Sequence, residues 1–132
     1  MRTFSTLVLL VLLVTQSAST QAADLNGAWT VDASSCGDVF TKENNKLAFK
    51  QDADLHAGGV IVQGRQITGT FQKCTVKSLH DDGTNVQVTA SCSDGVAVSD
   101  VTFDVKISGE NKFTLSSKAP VPVEMQYVRC SL

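Results

Sequence analysis

The segment from Cys74 to Cys92 constrains the fold of this 132-residue chain most, because it is typical of a β-hairpin with a cysteine at matching positions on its two strands. Asp82-Gly83 near its centre favours a tight turn. A three-residue loop over 82–84 places the two cysteines opposite each other, whereas a two-residue loop would misalign the inward faces. The predicted opposed pairs are Cys74 with Cys92, Val76 with Ala90, Ser78 with Val88, and His80 with Val86.

Residues 1–22 are predicted to form a secretory signal peptide. A short basic start at Arg2 precedes an unbroken run of leucine and valine over 7–14, which is too short to span a bilayer. Small and polar residues follow, with the predicted cleavage before Ala23. Residues 23–132 are then predicted to be a single domain, exported to a bacterial periplasm or outside the cell, with no membrane association after the signal is removed.

Four cysteines in a short exported chain indicate two disulfides and an oxidising compartment. Of the three possible connectivities, the hairpin register selects Cys74–Cys92. Cys36 and Cys130 are then left to join the two ends of the domain. The alternative is free or metal-binding thiols, but the chain has no Cys-x-x-Cys pair to support it.

Alternation of apolar and polar residues from Leu25 onward predicts eight short strands and almost no helix. The predicted strands cover 28–32, 47–51, 60–62, 66–81, 85–92, 101–107, 113–115 and 123–128. On the long fourth strand the inward residues change from odd positions, such as Ile67, to even ones, such as Cys74. This change predicts a β-bulge near Gln72-Lys73.

Two further hairpins have predicted registers, one with a three-residue loop over 63–65 and one with a turn over 108–112. The predicted pairs are Ile61 with Ile67 and Gly59 with Gly69 in the first, and Ile107 with Phe113 and Val105 with Leu115 in the second. Pro120 and Pro122 mark a break, or the start of a sheet edge, before the last strand, because Pro122 cannot sit in a central strand.

The order of these strands predicts the fold class. Sequential strands joined by tight turns leave no room for βαβ crossovers, so we expect an all-β, antiparallel, eight-stranded up-and-down barrel with two disulfides. Closure of the barrel removes exposed strand edges. A two-sheet β-sandwich is the alternative.

The ends of the predicted domain carry a family resemblance. Gly27-Ala28-Trp29 resembles the Gly-x-Trp signature that opens the first strand of lipocalins and related calycin barrels, and Arg129 resembles the arginine that packs over that tryptophan. The resemblance implies a barrel-closing cluster of Gly27, Trp29 and Arg129, with the guanidinium stacked on the indole. The chain is shorter than typical lipocalins and has no clear helix before its last strand.

Composition and motifs argue against several functions. Eleven basic and thirteen acidic residues give a formal charge of −2, which becomes −3 without Arg2, and no basic patch suggests nucleic-acid binding. The chain has only two histidines and no Gly-x-Ser-x-Gly elbow, so we expect no enzyme activity and no cofactor. Asp52, Asp54 and His56 are possible metal ligands at every second position, and residues 80–82 also include histidine and aspartate. We interpret both segments as solvated loops and predict no metal site.

Two function classes remain. The first is a binding module that takes a small apolar molecule at the barrel mouth, and its predicted lining residues are Phe49, Phe71, Phe103, Met125 and Tyr127. The alternative for these residues is ordinary core packing. The second class is a protein–protein module, such as an exported inhibitor of a protease or a cell-wall hydrolase, with 38–45 and 52–59 as the contacting loops. A hollow interior would favour the first class, and a filled interior the second.

Overall fold

The computed structural model describes residues 24–118 and 122–132. The predicted signal peptide, its cleavage before Ala23, and Pro120 lie outside these residues. Within them, no helix has the length and apolar character needed to cross a bilayer.

Eight antiparallel strands close into a barrel, so the predicted fold class is confirmed and the sandwich is excluded. The strands of the described residues are β1 (Gly27–Thr30), β2 (Phe40–Glu43), β3 (Lys46–Phe49), β4 (Val60–Gln63), β5 (Gln66–Gly69), β6 (Lys73–Asp81), β7 (Asn85–Ser93), β8 (Val98–Ile107), β9 (Lys112–Ser117) and β10 (Val123–Arg129). Around the barrel the order is β1, β10, β9, β8, β7, β6, β5, β4, and pairing of β1 with β4 completes the ring. One turn of helix, α1 (Cys36–Val39), and the 3₁₀ turns Ala33–Ser35 and Ala53–Leu55 lie between strands.

The eight barrel strands are not the eight strands that were predicted. The predicted strand over 47–51 lies outside the barrel, where β3 forms a two-stranded sheet with β2. The predicted long strand over 66–81 is two strands, because a tight turn in which the Gly69 amide donates to the Gln72 carbonyl at 2.7 Å separates β5 from β6. The change of parity near Gln72-Lys73 therefore marks a chain reversal and not the predicted bulge.

The first half of the β6–β7 hairpin has the predicted register. Cys74 lies opposite Cys92, and Val76 lies opposite Ala90. All four side chains are buried in the barrel interior, as the strict alternation of apolar residues along β7 predicts.

The tip of the same hairpin differs from the prediction. The register shifts at a bulge between Val76 and Ser78, and the turn has two residues instead of three, since the Asp82 amide donates to the Asn85 carbonyl at 3.0 Å. The two changes compensate, so both strands keep an apolar face toward the barrel. The two wrong pairs are replaced by Ser78 with Thr89 and His80 with Gln87, and Leu79 now lies opposite Val88.

The β4–β5 hairpin also has a two-residue turn, Gly64-Arg65. Gly64 has a φ of 60°, a left-handed conformation that glycine adopts without strain. The predicted pairs are consequently wrong by one residue, and the observed ones are Val62 with Ile67 and Val60 with Gly69. In the β8–β9 hairpin the predicted pairs are confirmed, Ile107 with Phe113 and Val105 with Leu115.

Both predicted disulfides are present, and the described residues contain no free cysteine. Cys36–Cys130 ties α1 to the residue that follows β10. Cys74–Cys92 links β6 to β7 inside the barrel.

A second apolar cluster packs against the outside of the barrel, where β1 and β4 meet. Ala28 and Ile61, the outward residues of those strands, contact buried side chains of the segment that contains α1, β2 and the second 3₁₀ turn. Gly59 is required here, because a Cβ at that position would lie 2.5 Å from both the Phe40 ring and the Trp29 carbonyl. The backbone at Gly59 therefore lies close to Phe40 and Trp29.

Candidate binding cavity

Residues 24–26, which we call the strap, precede β1 at one end of the barrel. Arg129 donates from Nη2 to the Asp24 carbonyl at 2.7 Å and from Nη1 to the Asn26 carbonyl. The indole N–H of Trp29 donates to the Leu25 carbonyl at 2.9 Å. Each of the three strap carbonyls therefore accepts a hydrogen bond from a side chain of the barrel.

The contact between Trp29 and Arg129 that the resemblance implies is present. The two residues are opposed in the β1–β10 pair, and the guanidinium carbon lies 4.1 Å from the centroid of the indole. Nε of Arg129 also donates to the Glu110 carbonyl at 3.0 Å. Gly27 lies beside this stack with a φ of +131°, and a Cβ there would be 3.0 Å from Nη1 of Arg129. The position therefore suits glycine on grounds of both conformation and space.

Beside the strap, the barrel contains a cavity of about 250 Å³. The side chains that the barrel strands contribute to its wall are hydrocarbon throughout, and among them are Ile67, Val88, Phe103, Val105 and Leu115. The polar residues of the lining are Asp24, Asn26 and Arg65, and all three are exposed at the barrel end. The cavity is thus an apolar space with polar groups confined to its mouth.

The mouth lies between the strap, the Gly64-Arg65 turn and the distal half of β6. The side-chain oxygen of Asn26 accepts from the Gly64 amide at 2.7 Å and joins the strap to the turn. Leu79 lines the cavity from β6 and is 62% exposed. An exposed leucine on the inward side of a barrel strand indicates an opening to solvent at this point.

Arg65 holds the bulge that directs Leu79 to the mouth. Its Nε donates to the Val76 carbonyl at 3.0 Å, and its Nη2 donates to the Lys77 carbonyl at 2.9 Å. The Arg65 carbonyl accepts from the Val76 amide at 2.8 Å. The Val76 amide bond continues the β5–β6 ladder, and the side-chain bonds satisfy the Val76 and Lys77 carbonyls beside the bulge.

The five aromatic and methionine residues predicted to line a ligand site are not brought together. Phe103 lines the cavity. Tyr127 is buried in the same barrel core, where it stacks on Phe113 with ring centroids 5.1 Å apart, and Met125 is 39% exposed nearer the other end of β10. Neither contributes to the cavity lining.

Phe49 and Phe71 were wrongly predicted to face the barrel interior. Phe49 is on β3, outside the barrel, and packs on Phe40 at 5.2 Å between ring centroids. Phe71 lies in the β5–β6 turn and is 73% exposed. Both errors follow from counting the strands incorrectly, because each residue lies on the apolar phase of a segment that is not a barrel strand.

The possible metal ligands Asp52, Asp54 and His56 do not line the cavity. Asp54 lies within the 3₁₀ turn Ala53–Leu55, with Asp52 and His56 at its two ends. Among residues 24–118 and 122–132 there is no group of three histidine, cysteine or acidic side chains arranged to hold a metal ion.

Sequence reasoning missed Arg65, Leu79 and the strap as parts of a site. Arg65 was assigned to a loop, and Leu79 was placed on the outward phase of β6. The sequence did contain a signal for the position of Arg65. Glycine followed by a polar residue suits a two-residue hairpin turn, and Gly64-Arg65 has this pattern.

No protein-family model, curated protein or solved structure matches this chain. The barrel is consistent with a lipocalin-like architecture. This statement about the architecture depends on the strand pairing alone.

Proposed function

We propose that this protein is an exported, non-enzymatic binding module that takes a small apolar molecule into its barrel. The observation that carries the proposal is the cavity of about 250 Å³ with a hydrocarbon wall and a polar mouth. Apolar pockets with a few polar groups at one side are typical of small-molecule sites. The two disulfides support export, because such bonds persist in oxidising compartments.

The cavity volume limits the size of the ligand. An apolar cavity of about 150 Å³ holds benzene, with about six carbon atoms. In proportion, the cavity of about 250 Å³ would hold about ten non-hydrogen atoms. At about 0.6 kcal/mol per atom, which is within the range for small ligands, the binding free energy is about 6 kcal/mol and the Kd is about 40 μM.

The hollow interior favours ligand binding over the protein–protein alternative. Residues 38–45 include part of α1 and the whole of β2, and Val39 and Phe40 from this segment are buried against the barrel wall. In 52–59, Ala53 is buried in the same cluster. The remaining residues of both segments are mostly exposed, so the preference for ligand binding rests on the hollow interior.

The test is binding of neutral aromatic hydrocarbons of increasing size to the disulfide-bonded protein. We expect naphthalene to bind more tightly than benzene, with a Kd of tens of micromolar, and pyrene to be excluded by size. Ligand fluorescence measures the Kd, and chemical-shift changes of valine and leucine methyl groups locate the site. Absence of binding by all three hydrocarbons would contradict the proposal.

A matched pair of variants tests the location. Val88→Phe places a larger side chain in the cavity wall, whereas Val98→Phe makes the same change at a position that is 71% exposed at the start of β8. We expect Val88→Phe to weaken naphthalene binding by at least about tenfold and Val98→Phe by less than about twofold. Leu115→Phe is a second filling variant if Val88→Phe lowers the melting temperature strongly.

A further inference from the structure

The cavity wall determines where a polar group of any ligand can lie. Its barrel-strand side chains are hydrocarbon, and a polar group buried among them would have no side-chain partner for a hydrogen bond. Burying an unpaired polar group is unfavourable. A ligand that has both an apolar and a polar part would therefore place the apolar part inside and the polar part at the mouth.

The mouth carries two opposite charges, Asp24 and Arg65, and they differ in how far each is already compensated. The Asp24 carboxylate accepts from both the backbone amide and the side-chain amide of Asn26, at 2.9 and 2.8 Å. These hydrogen bonds, together with the nearby Arg129, lower the pKa of Asp24. The negative charge at the mouth is thus already stabilised by neighbouring groups.

Arg65 is not compensated in the same way. In the part of the chain that the structure describes, no carboxylate lies within ion-pair distance of its guanidinium, and the one ion pair there joins Lys77 to Asp100. The guanidinium donates from Nε and Nη2 to the Val76 and Lys77 carbonyls, and no hydrogen bond from Nη1 is present among those residues. These two carbonyls fix the orientation of the group while its Nη1 donors stay available.

We propose that the ligand is a medium-chain carboxylate whose alkyl chain fills the cavity and whose head group binds Arg65. This inference rests on the proposed function and names the ligand class of the same site. The volume of about 250 Å³ corresponds to a chain of about ten carbons on the benzene scale used above. A carboxylate at Nη1 would form a charge-assisted hydrogen bond, which is stronger than a bond between neutral groups.

The test compares decanoate with 1-decanol, which have the same number of carbon atoms and differ in head-group charge. Calorimetry near neutral pH gives the Kd of each ligand for the wild-type protein and for Arg65→Gln. We expect Arg65→Gln to weaken decanoate binding by about 5- to 10-fold more than decanol binding, because the alcohol does not depend on the positive charge.

Two further variants separate the charge of Arg65 from its role in holding the bulge. Arg65→Lys retains a positive charge but cannot reproduce the forked hydrogen bonds, and we expect it to keep most of the wild-type ratio between the two affinities. Lys112→Gln removes an exposed charge at the same barrel end outside the cavity lining, and we expect wild-type binding of both ligands.

Ionic strength provides a measurement on the wild-type protein alone. Raising NaCl from about 0.02 to about 0.5 M should weaken decanoate binding by several-fold and leave decanol binding nearly unchanged, because salt screens exposed charges. Equal losses for both ligands in Arg65→Gln, or a decanoate affinity that does not depend on salt, would overturn the assignment of the head group. Binding of decanol and naphthalene without decanoate would overturn this inference and leave the proposed function intact, whereas binding of none of them would overturn both.

Discussion

The guanidinium of Arg129 lies between an aromatic face and several carbonyl oxygens, and this position makes lysine a poor substitute. One face of the group stacks on Trp29, while its nitrogen atoms donate to the carbonyls of Asp24, Asn26 and Glu110. An ammonium group has no planar fork to satisfy three separate acceptors while it packs on a ring. Because the strap forms one side of the cavity mouth, the arginine also determines the shape of the candidate site.

The stack itself can be measured with a double-mutant cycle. We expect Trp29→Ala and Arg129→Ala to show a coupling energy of about 0.5–2 kcal/mol, since the two side chains are in direct contact. Urea unfolding of the wild type, both single variants and the double variant gives the four free energies of unfolding. Strictly additive losses would show that the contact contributes nothing of its own.

Tyr127 gives a prediction for alkaline pH. Burial raises the pKa of its phenol above the ordinary value of 10.0. As the pH rises past 10.0, the unfolded chain ionises first, so the stability conferred by the neutral phenol is lost as the pH approaches the raised pKa. Tyr127 is the single tyrosine of the chain, so tyrosinate absorbance reports it alone.

We expect the absorbance midpoint of the folded protein to lie above that of the protein in urea. Tyr127→Phe should remove this part of the pH dependence of the free energy of unfolding. Identical midpoints in the folded and unfolded protein would contradict the predicted shift.

Individual side chains differ in how far their places could be predicted. Trp29 and Arg129 belong to a signature with one part on the first strand and one on the last. Their contact could be predicted from that signature. Arg65 could not be assigned, because its partners Val76 and Lys77 come within reach only through the pairing of β5 with β6, which was not predicted. Phe103 could be placed inside because it lies in an uninterrupted alternating strand.

At the scale of strands, alternation predicted which segments are extended but not how they pair. β3 alternates like a barrel strand, yet it pairs with β2, because four residues of either segment can form a ladder with any neighbour of suitable length. The division of 66–81 into β5 and β6 depends on a four-residue turn over 69–72 without a strong turn signal. The barrel lost β3 and gained a strand by the division of 66–81, so the total of eight strands is unchanged. The location of the cavity depends on which strands pair.

Two glycines test the turn of the β6–β7 hairpin. Gly83 has a φ of +103°, whereas Gly37 lies in α1 without a positive φ, and an added Cβ would meet no neighbour at either position. We expect Gly83→Ala to destabilise the protein by about 1 kcal/mol through backbone strain, and Gly37→Ala to stabilise it by about 0.4–1 kcal/mol. Thermal unfolding measures both, and equal effects of the two substitutions would argue against the left-handed turn.

At the scale of the whole molecule, the two disulfides close loops of very different length. The bonded cysteines are separated by 94 residues in Cys36–Cys130 and by 18 in Cys74–Cys92. In the chain-entropy model the longer loop contributes about 4.7 kcal/mol and the shorter about 3.2 kcal/mol. We therefore expect a double alanine substitution at Cys36 and Cys130 to cost about 1.5 kcal/mol more than one at Cys74 and Cys92.

Chemical denaturation of the two double variants measures this difference. Alkylation of the unreduced, denatured wild type should modify no cysteine. A larger loss for the Cys74–Cys92 variant would mean that packing in the barrel interior outweighs loop entropy.

Pairing of β1 with β10 has a consequence for how quickly the chain can fold. The ring closes only when the first strand meets the last, and Trp29 lies opposite a residue about 100 positions further along the sequence. Contacts between such distant positions form slowly, because a long loop must be closed before any of them is made. β10 follows every other barrel strand in the sequence, so β1 and β9 each keep one unpaired edge until β10 has been made and has paired. The nascent chain therefore depends on its last strand to remove the edges through which partly folded copies would aggregate.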